Sequence, residues 1–353
     1  MTPRTVSILI VCAIVSVAAA VYGVSSRVNY QSTNFEGQRL FPDLLEDAKN
    51  VTEVTVLQNA KTMTFVRDGE TWRLQQSAGY PVHANLVNKV IFSLSNMELL
   101  DKKTSQKDKL PTLNLGDPSE KKANGQQVTL KNGSGEVMAD LVVGSANFFL
   151  PETTTGGMYV RFPGEEQAWL VRGLVDIGVE PRDWLKRDIV DIKPERIQRA
   201  EVTQPDGEQL IVIPQKGVTG DFAFENMPEG MVLKSEFAPR NIAAVLNSFV
   251  LNDVRKPGDV ELKPGDAYVT EFFTVDAIHV TTKMWKKDGQ QYMTVNAKYI
   301  GDDMESDAAK QAKAISERTD GWLYVIPDYQ YEQVAKKMAD VTEKPKEKPG
   351  SGS

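Results

Sequence analysis

Cysteine and histidine are scarce in this chain of 353 residues, and their scarcity narrows the chemistry that it can support. The single cysteine, Cys12, lies inside an apolar N-terminal stretch, so the rest of the chain can form no disulfide bond and offers no thiolate to a metal. His83 and His279 are the only histidines. The side chain most often used as a general base is therefore missing from most of the sequence.

Positively charged residues are also fewer than negatively charged ones. The chain has 41 lysines and arginines and 48 aspartates and glutamates, which gives a net charge of -7. A protein that binds nucleic acid needs a positive field to displace counterions from phosphates, so we expect no nucleic-acid partner. The sequence has no phosphate-binding glycine loop and no G-x-S-x-G motif, and Gly133-Ser134-Gly135 is typical of a hairpin turn. We therefore predict no cofactor, no catalytic residue and no metal site, and a protein that is not an enzyme.

The two histidines are expected to have ordinary structural surroundings. Neither has an acidic or thiol neighbour at the spacing of a metal ligand. His83 precedes a predicted helix, which indicates a surface or capping position. His279 alternates with Ile278 and Val280 in a predicted strand, so its side chain should point away from theirs, towards solvent.

Acidic side chains form two weak candidate sites. Asp303, Glu305 and Asp307 alternate as in a calcium-binding loop, but the central glycine is missing, and the start of a helix explains them better. Glu165 and Glu166 follow a Pro-Gly turn and are expected to face water. Because a catalytic carboxylate pair can be far apart in sequence, an envelope hydrolase with such a site stays open as an alternative.

The N-terminal stretch 6–24 carries no charge and is predicted to be a transmembrane anchor. As a helix it would be about 28 Å long, close to the thickness of the bilayer core. Arg4 precedes it, so residues 1–5 are expected in the cytoplasm and the bulk of the chain in the periplasm, on a single-pass protein of the inner membrane. A cleaved signal peptide is the alternative, since Ala18-Ala19-Ala20 offers small residues for cleavage.

The remaining sequence predicts an α+β fold of two tandem related domains, each a mostly antiparallel sheet packed with helices. Apolar residues with a period of two, separated by turns such as Asp68-Gly69 and Asp288-Gly289, indicate hairpin strands. A helical apolar stripe covers residues 86–100. The predicted parts are a linker helix at 25–48, a first repeat at 49–193, a second repeat at 194–342 and a disordered tail at 343–353. Two unrelated α+β domains are the alternative to duplication.

A lysine-rich loop, expected to follow the predicted helix, provides the first set of candidate contact residues. They are Lys102, Lys103, Lys107 and Lys109. Clustered lysines beside a membrane anchor are attracted to anionic lipid headgroups, so these residues are candidates for that contact. A solvated loop without a ligand is the interpretation that the sequence favours.

An apolar loop provides the second set. Phe148, Phe149 and Leu150 stand next to threonines and glycines, in a segment where polar residues are usual. Apolar side chains on a loop either complete the local core or form a patch for a partner. The sequence favours the local core, and contact with a partner protein is kept as the candidate site.

Six short stretches also carry a family resemblance. They are Arg39-Leu40-Phe41-Pro42, Tyr80-Pro81-Val82, Leu99-Leu100-Asp101-Lys102-Lys103-Thr104, Gly157-Met158-Tyr159-Val160-Arg161, Ala168-Trp169-Leu170-Val171 and Asp183-Trp184-Leu185-Lys186-Arg187-Asp188. In this order they resemble a bacterial family of membrane-anchored extracytoplasmic proteins of unknown function. Members of that family are often associated with the auxiliary component of gliding-motility-type ABC transporters. The resemblance implies membership of an envelope complex and brings no catalytic residues.

Together these observations predict a non-enzymatic, membrane-tethered, extracytoplasmic subunit. It is expected to bind partner proteins of an ABC-type transport or envelope complex. A glycan- or lipid-binding envelope module is the first alternative, and a hydrolase is the second.

Overall fold

The computed structural model describes residues 37–150, 156–187, 189–215, 217, 220–247 and 249–345. The predicted N-terminus 1–5 and anchor 6–24 lie outside these residues, as do residues 25–36 of the predicted linker helix and 346–353 of the predicted tail. Across the described part of the chain, no helix combines the length and the apolar character needed to cross a membrane.

The described chain forms a mostly antiparallel α+β structure. The strands up to residue 172 are β1 (Val51–Gln58), β2 (Lys61–Asp68), β3 (Thr71–Leu74), β4 (Tyr80–Pro81), β5 (Glu98–Lys102), β6 (Gln126–Asn132), β7 (Val137–Asn147), β8 (Gly157–Arg161) and β9 (Ala168–Arg172). The later strands are β10 (Ile197–Thr203), β11 (Gln209–Pro214), β12 (Phe222–Phe224), β13 (Val232–Leu233), β14 (Asp253–Arg255), β15 (Tyr268–Thr274), β16 (Ile278–Lys287), β17 (Gln290–Tyr299), β18 (Leu323–Ile326) and β19 (Thr342–Glu343). The α-helices are α1 (Leu44–Asp47), α2 (Ala84–Ser95), α3 (Ala238–Ala243), α4 (Asp307–Thr319), α5 (Asp328–Val334) and α6 (Met338–Val341).

The chain divides into two compact units. The first comprises the chain up to Arg67 together with Ala84–Ile177, and the second comprises Asp68–His83 together with the chain from Gly178 onward. In the first unit, seven strands lie in the order β2-β1-β6-β7-β8-β9-β5. In the second, eight strands lie in the order β12-β11-β10-β15-β16-β17-β18-β14, and the pairs β3-β4 and β13-β19 belong to the same unit.

The two sheets share a strand order. The seven strands of the first unit correspond one by one to β11-β10-β15-β16-β17-β18-β14 of the second. A tandem duplication would produce this match, and the duplication stays a prediction, as do its domain boundaries.

Alternating apolar residues explain why each sheet has a buried face. In the first unit Val54 lies between Phe65 and Leu130 on the neighbouring strands, and all three are fully buried. In the second unit Ala200 lies in the same way between Val212 and Phe272. Each fully buried valine, leucine or phenylalanine side chain contributes roughly 1.5–3 kcal/mol to folding, so these rows hold the strands in register.

The helix predicted over residues 86–100 is shorter than expected. It ends at Ser95, and Leu99 and Leu100 belong to β5 instead. The ending has a local cause, because the Oγ of Ser95 and the Nδ2 of Asn96 both donate to the carbonyl of Phe92. It has a distant cause as well, because the Nη1 of Arg39 donates to the carbonyl of Ser95 at 2.9 Å.

Another helical prediction was also too long. In the described part of the predicted linker helix only Leu44–Asp47 is α-helical, since Arg39 is held in a β-bridge with Glu98. Near the C-terminus, the predicted disordered tail starts too early, because its first residue, Glu343, pairs with Val232.

Candidate functional site

Three of the four candidate lysines line one groove of the first unit, with a volume of about 440 Å³. Its lining residues are Asp101, Lys102, Lys103, Thr104, Lys109, Thr112, Leu113 and Tyr159. We call it the lysine groove. Lys107 does not line it, because Lys107 and Lys109 sit two residues apart on a 3₁₀ segment with about three residues per turn and so point in different directions.

Two pieces of chain form the walls of the lysine groove. The end of β5 supplies Lys102, and the 3₁₀ segment Lys107–Leu113 supplies Lys109. Leu113 and Tyr159 pack against a small buried cluster of Leu110, Leu115, Val142 and Ala168, which supports the floor of the groove.

The charges in the lysine groove do not cancel. Lys103 forms an ion pair with Asp101, with 2.7 Å between Nζ and Oδ2. The Nζ of Lys102 lies 5.2 Å from the centre of the Trp169 ring, a cation–π contact that leaves its charge uncompensated. Lys109 has no side-chain hydrogen bond or ion pair within the described residues.

Trp169 pairs with Val160, whereas Tyr159 pairs with Leu170, so the side chains of Lys102 and Tyr159 project from opposite faces of the sheet. The face that forms the groove therefore carries one lysine without a carboxylate partner, Lys109.

A buried arginine fixes the segment beside the groove. Arg161, at the end of β8, is only 8% exposed, and its Nε donates to the carbonyl of Leu115 at 2.7 Å. Its Nη2 donates to the carbonyl of Gly116 at 3.3 Å, and its Nη1 reaches the carbonyls of Phe162 and Glu165 at 3.4 Å. Burial lowers the pKa of Arg161 below its ordinary value, and the nearby carboxylate of Asp117 opposes that shift.

A glycine in β7 allows the same segment to come close to the sheet. A Cβ atom at Gly144 would stand 2.2 Å from the carbonyl oxygen of Leu113 and 2.9 Å from a side-chain carbon of Leu115. The β7–β8 register also shifts between Val143 and Ala146, which marks a bulge at this glycine.

The apolar loop presents its two phenylalanines to solvent. Phe148 is 70% exposed and Phe149 is 93% exposed, so the local-core alternative is wrong for both. Leu150 is half-buried, because its side chain lies over Gly157, where an added Cβ atom would be 2.5 Å from the Cδ1 of Leu150. The Oδ1 of Asn147 accepts the backbone N–H of Phe149 at 3.0 Å and shapes the loop.

The two candidate sets lie at opposite ends of the same strands. Asn147, beside the phenylalanines, pairs with Gly157 on β8. Gly157 pairs in turn with Arg172 on β9, and Arg172 pairs with Glu98 at the start of β5. Lys102, at the groove, is four residues further along β5, a distance of about 13 Å. The structure therefore does not bring the two sets together.

The first described residues run along β5. Leu40 donates its N–H to the carbonyl of Met97 at 2.8 Å, and Leu99 donates to the carbonyl of Gln38 at 2.9 Å. Gln38 therefore lies beside Leu99 and Leu40 beside Met97, so this segment is antiparallel to β5 and its N-terminal end points towards Lys102.

The prediction for His279 was wrong. The residue is only 7% exposed, because Phe273, its cross-strand partner, stacks on the imidazole with 4.5 Å between ring centres. Its Nε2 lies 3.1 Å from the Oε1 of Glu271. His83 directly precedes α2 and is half-buried, and its N–H donates to the carbonyl of Trp184.

The acidic candidates behave as predicted. Glu165 and Glu166 are exposed. Ser306 caps α4, Asp307 lies in the first turn, and Asp303 accepts the N–H of Glu305 just before the helix. Among the residues with described positions, no three histidine, cysteine, aspartate or glutamate side chains are grouped so as to hold a metal ion.

Sequence reasoning missed six residues that line or support the groove: Asp101, Thr104, Thr112, Leu113, Tyr159 and Arg161. One signal was present, because Tyr159 and Arg161 are polar-tipped residues two apart within an apolar strand and so share one face. Nothing local linked them to the lysines, which approach them only through the fold.

Comparisons with known proteins identify the family and go no further. A search of curated proteins found no match, and neither did a search of solved structures. A family model described as "Domain of unknown function (DUF4340)" matches residues 72–282, which is more than half of the chain. The chain therefore belongs to the DUF4340 family of domains of unknown function.

Proposed function

We propose that this protein is a non-enzymatic, extracytoplasmic subunit that is tethered to the inner membrane and binds a partner protein of a transport or envelope complex. The observation that carries this proposal is the exposure of two adjacent aromatic rings, Phe148 at 70% and Phe149 at 93%. Burial of large apolar side chains against a partner contributes the most binding free energy, and aromatic residues are enriched at the centres of protein interfaces.

The predicted anchor at residues 6–24 indicates the kind of partner. A tether raises the local concentration of the body beside membrane proteins, so a weak surface is enough for binding. We infer a partner with an exposed surface close to the bilayer, for which the family resemblance suggests an ABC-type transporter.

The test is a crosslinking experiment in native membranes with the full-length protein. The variant Phe148→Ser/Phe149→Ser removes both rings from a surface loop, and Phe237→Ser is the matched control, because Phe237 is 60% exposed elsewhere in the chain. We expect the wild type and the control to crosslink the same envelope protein. The double variant should lose that product at least about tenfold, as for an interface hot spot. Equal yields from all three proteins would contradict the proposal.

A second candidate function is a glycan- or lipid-binding envelope module. The lysine groove favours it, because Lys109 lines it without a carboxylate partner, beside the ring of Tyr159. Binding there would be independent of the phenylalanines, since the two surfaces occupy opposite ends of the strands.

A further inference from the structure

We infer that a groove of the second unit binds an acidic peptide segment of a partner protein, with Arg182 and Arg187 pairing with its carboxylates. The groove has a volume of about 580 Å³, and Val250, Asn252 and Tyr329 line it beside the two arginines. We call it the arginine groove. The inference does not rest on the proposed function, because none of these residues belongs to the apolar loop of the first unit.

Charge is the first argument. Arg182 and Arg187 are exposed, and neither forms an ion pair or a side-chain hydrogen bond within the described part of the chain. Asp183 also lines the groove, but its Oδ2 already accepts the N–H groups of Val179 and Glu180, at 3.0 and 2.9 Å. Both guanidinium groups are therefore available to a ligand. Their forked donors match the planar geometry of a carboxylate.

The uncharged lining of the arginine groove is the second argument. The ring of Tyr329 is 53% exposed, and Val250 is half-buried, so an apolar side chain next to the acidic one can pack against them. The side-chain amide of Asn252 makes no hydrogen bond to any described residue, and it can both donate to and accept from a peptide group. Arginine and tyrosine are also enriched among the residues that dominate binding between proteins. A simple inorganic anion would use only the arginines.

Rigidity of the wall that carries the arginines is the third argument. Trp184 and Leu185 lie between the two arginines in sequence, and both are buried. The Nε1 of Trp184 donates to the carbonyl of Gly178 at 3.1 Å, and Leu185 forms a β-bridge with Val82. The arginine side chains therefore extend from a backbone that is fixed before any ligand arrives.

The facing wall is fixed as well. Asn252 donates its N–H to the carbonyl of Val325 at 2.8 Å. The side-chain amide of Gln330, in the orientation that suits both partners, donates to the carbonyl of Val250 and accepts its N–H at 3.1 Å. A site that is formed before binding loses less entropy when the ligand arrives, so a short peptide is enough to fill it.

The test is isothermal titration calorimetry of the full-length protein with two short peptides. The acidic probe is acetyl-Gly-Glu-Phe-Glu-Gly-amide. The neutral probe, acetyl-Gly-Gln-Phe-Gln-Gly-amide, has nearly the same shape and no charge. We expect the acidic peptide to bind at least about tenfold more tightly, because only its carboxylates can pair with the arginines. Equal affinities, or no binding of the acidic peptide, would overturn the inference.

Two charge-matched variants separate a specific site from general attraction. Arg182→Gln/Arg187→Gln should weaken binding of the acidic peptide at least about tenfold. Lys283→Gln/Lys286→Gln removes the same charge from exposed lysines of β16 that do not line the groove, and it should leave binding unchanged. Similar losses in both variants would refute a built site.

A third variant tests the groove without changing its charge. Tyr329→Ser keeps both arginines and removes an exposed ring, so the fold should be retained. We expect it to weaken binding of the acidic peptide at least about fivefold, as for an aromatic residue in a protein interface. An unchanged affinity would show that the ring does not contact the peptide and would contradict the proposed pose.

Titrations with inorganic phosphate and with phosphatidylglycerol vesicles test two rival ligands. Binding of either one that needs Arg182 and Arg187, without binding of the acidic peptide, would assign the groove to that anion and overturn the peptide inference. Phe148→Ser/Phe149→Ser should bind the acidic peptide as the wild type does. Loss of partner crosslinking and loss of peptide binding are therefore separate results.

Discussion

Replacing Arg161 by methionine is expected to lower the free energy of unfolding by about 3–4 kcal/mol, the largest effect of a single substitution that we predict. Methionine keeps much of the length of the side chain but cannot donate a hydrogen bond. The carbonyls of Leu115 and Gly116 would lose their donor, and the acceptors at Phe162 and Glu165 would be weakened as well. Leaving a buried acceptor unsatisfied costs about 1–3 kcal/mol.

The measurement is urea unfolding of the full-length protein, followed by circular dichroism, with hydrogen exchange at residues 107–116 to locate the loss. Lys131→Met is the control, since Lys131 forms a more exposed ion pair with Glu53 at 2.8 Å. Such surface pairs contribute about 0–1 kcal/mol. If Arg161→Met were no more destabilising than Lys131→Met, the guanidinium would not be holding the segment.

Replacing Gly144 by alanine is expected to cost about 3 kcal/mol. The new methyl group would lie 2.2 Å from the Leu113 carbonyl oxygen, and a backbone atom cannot rotate away as the end of a side chain can. The segment from Leu110 to Leu115 must shift off the sheet, and Leu113 would leave the floor of the lysine groove. We therefore expect a lower urea midpoint.

Gly116→Ala is the matched control for this substitution. A Cβ atom at Gly116 would have no heavy atom within 4 Å, and its backbone conformation is one that alanine adopts readily. Its stability should change by less than about 0.5 kcal/mol. Similar losses at both glycines would show that the segment does not depend on close approach at β7.

The strands could be predicted from sequence because their signals are local. Gly69 and Gly289, in the two predicted hairpin turns, have the positive φ that such turns demand. The limits of α2 could not be predicted. Leu99 and Leu100 continue its apolar stripe, and a contact from Arg39, 56 residues earlier, helps to end it at Ser95.

The candidate site was predictable only in part, for a similar reason. The lysines could be found as a cluster, and the phenylalanines as apolar residues in a polar loop. Tyr159 and Arg161 reach the groove because the segment around Leu115 packs on β8. The spacing of apolar residues along the sequence does not predict that packing. The prediction for His279 was wrong because it assumed that one face of the strand is exposed to solvent, as alternating apolar residues usually indicate. Phe273 covers that face.

The assignment of Asp68–His83 to the second unit has a consequence for the order in which the chain can fold. Tyr80 packs on Trp322 and Tyr324, with ring centres 5.0 and 6.2 Å apart, and Ser77 donates to Asp253. At ribosomal rates of about 5–20 residues per second, Tyr80 would wait roughly 10–50 s for these aromatic partners to be synthesised. The second unit therefore cannot be completed during translation until almost the whole chain has emerged. Chains truncated before Trp322 should expose Tyr80 to chaperones and proteases.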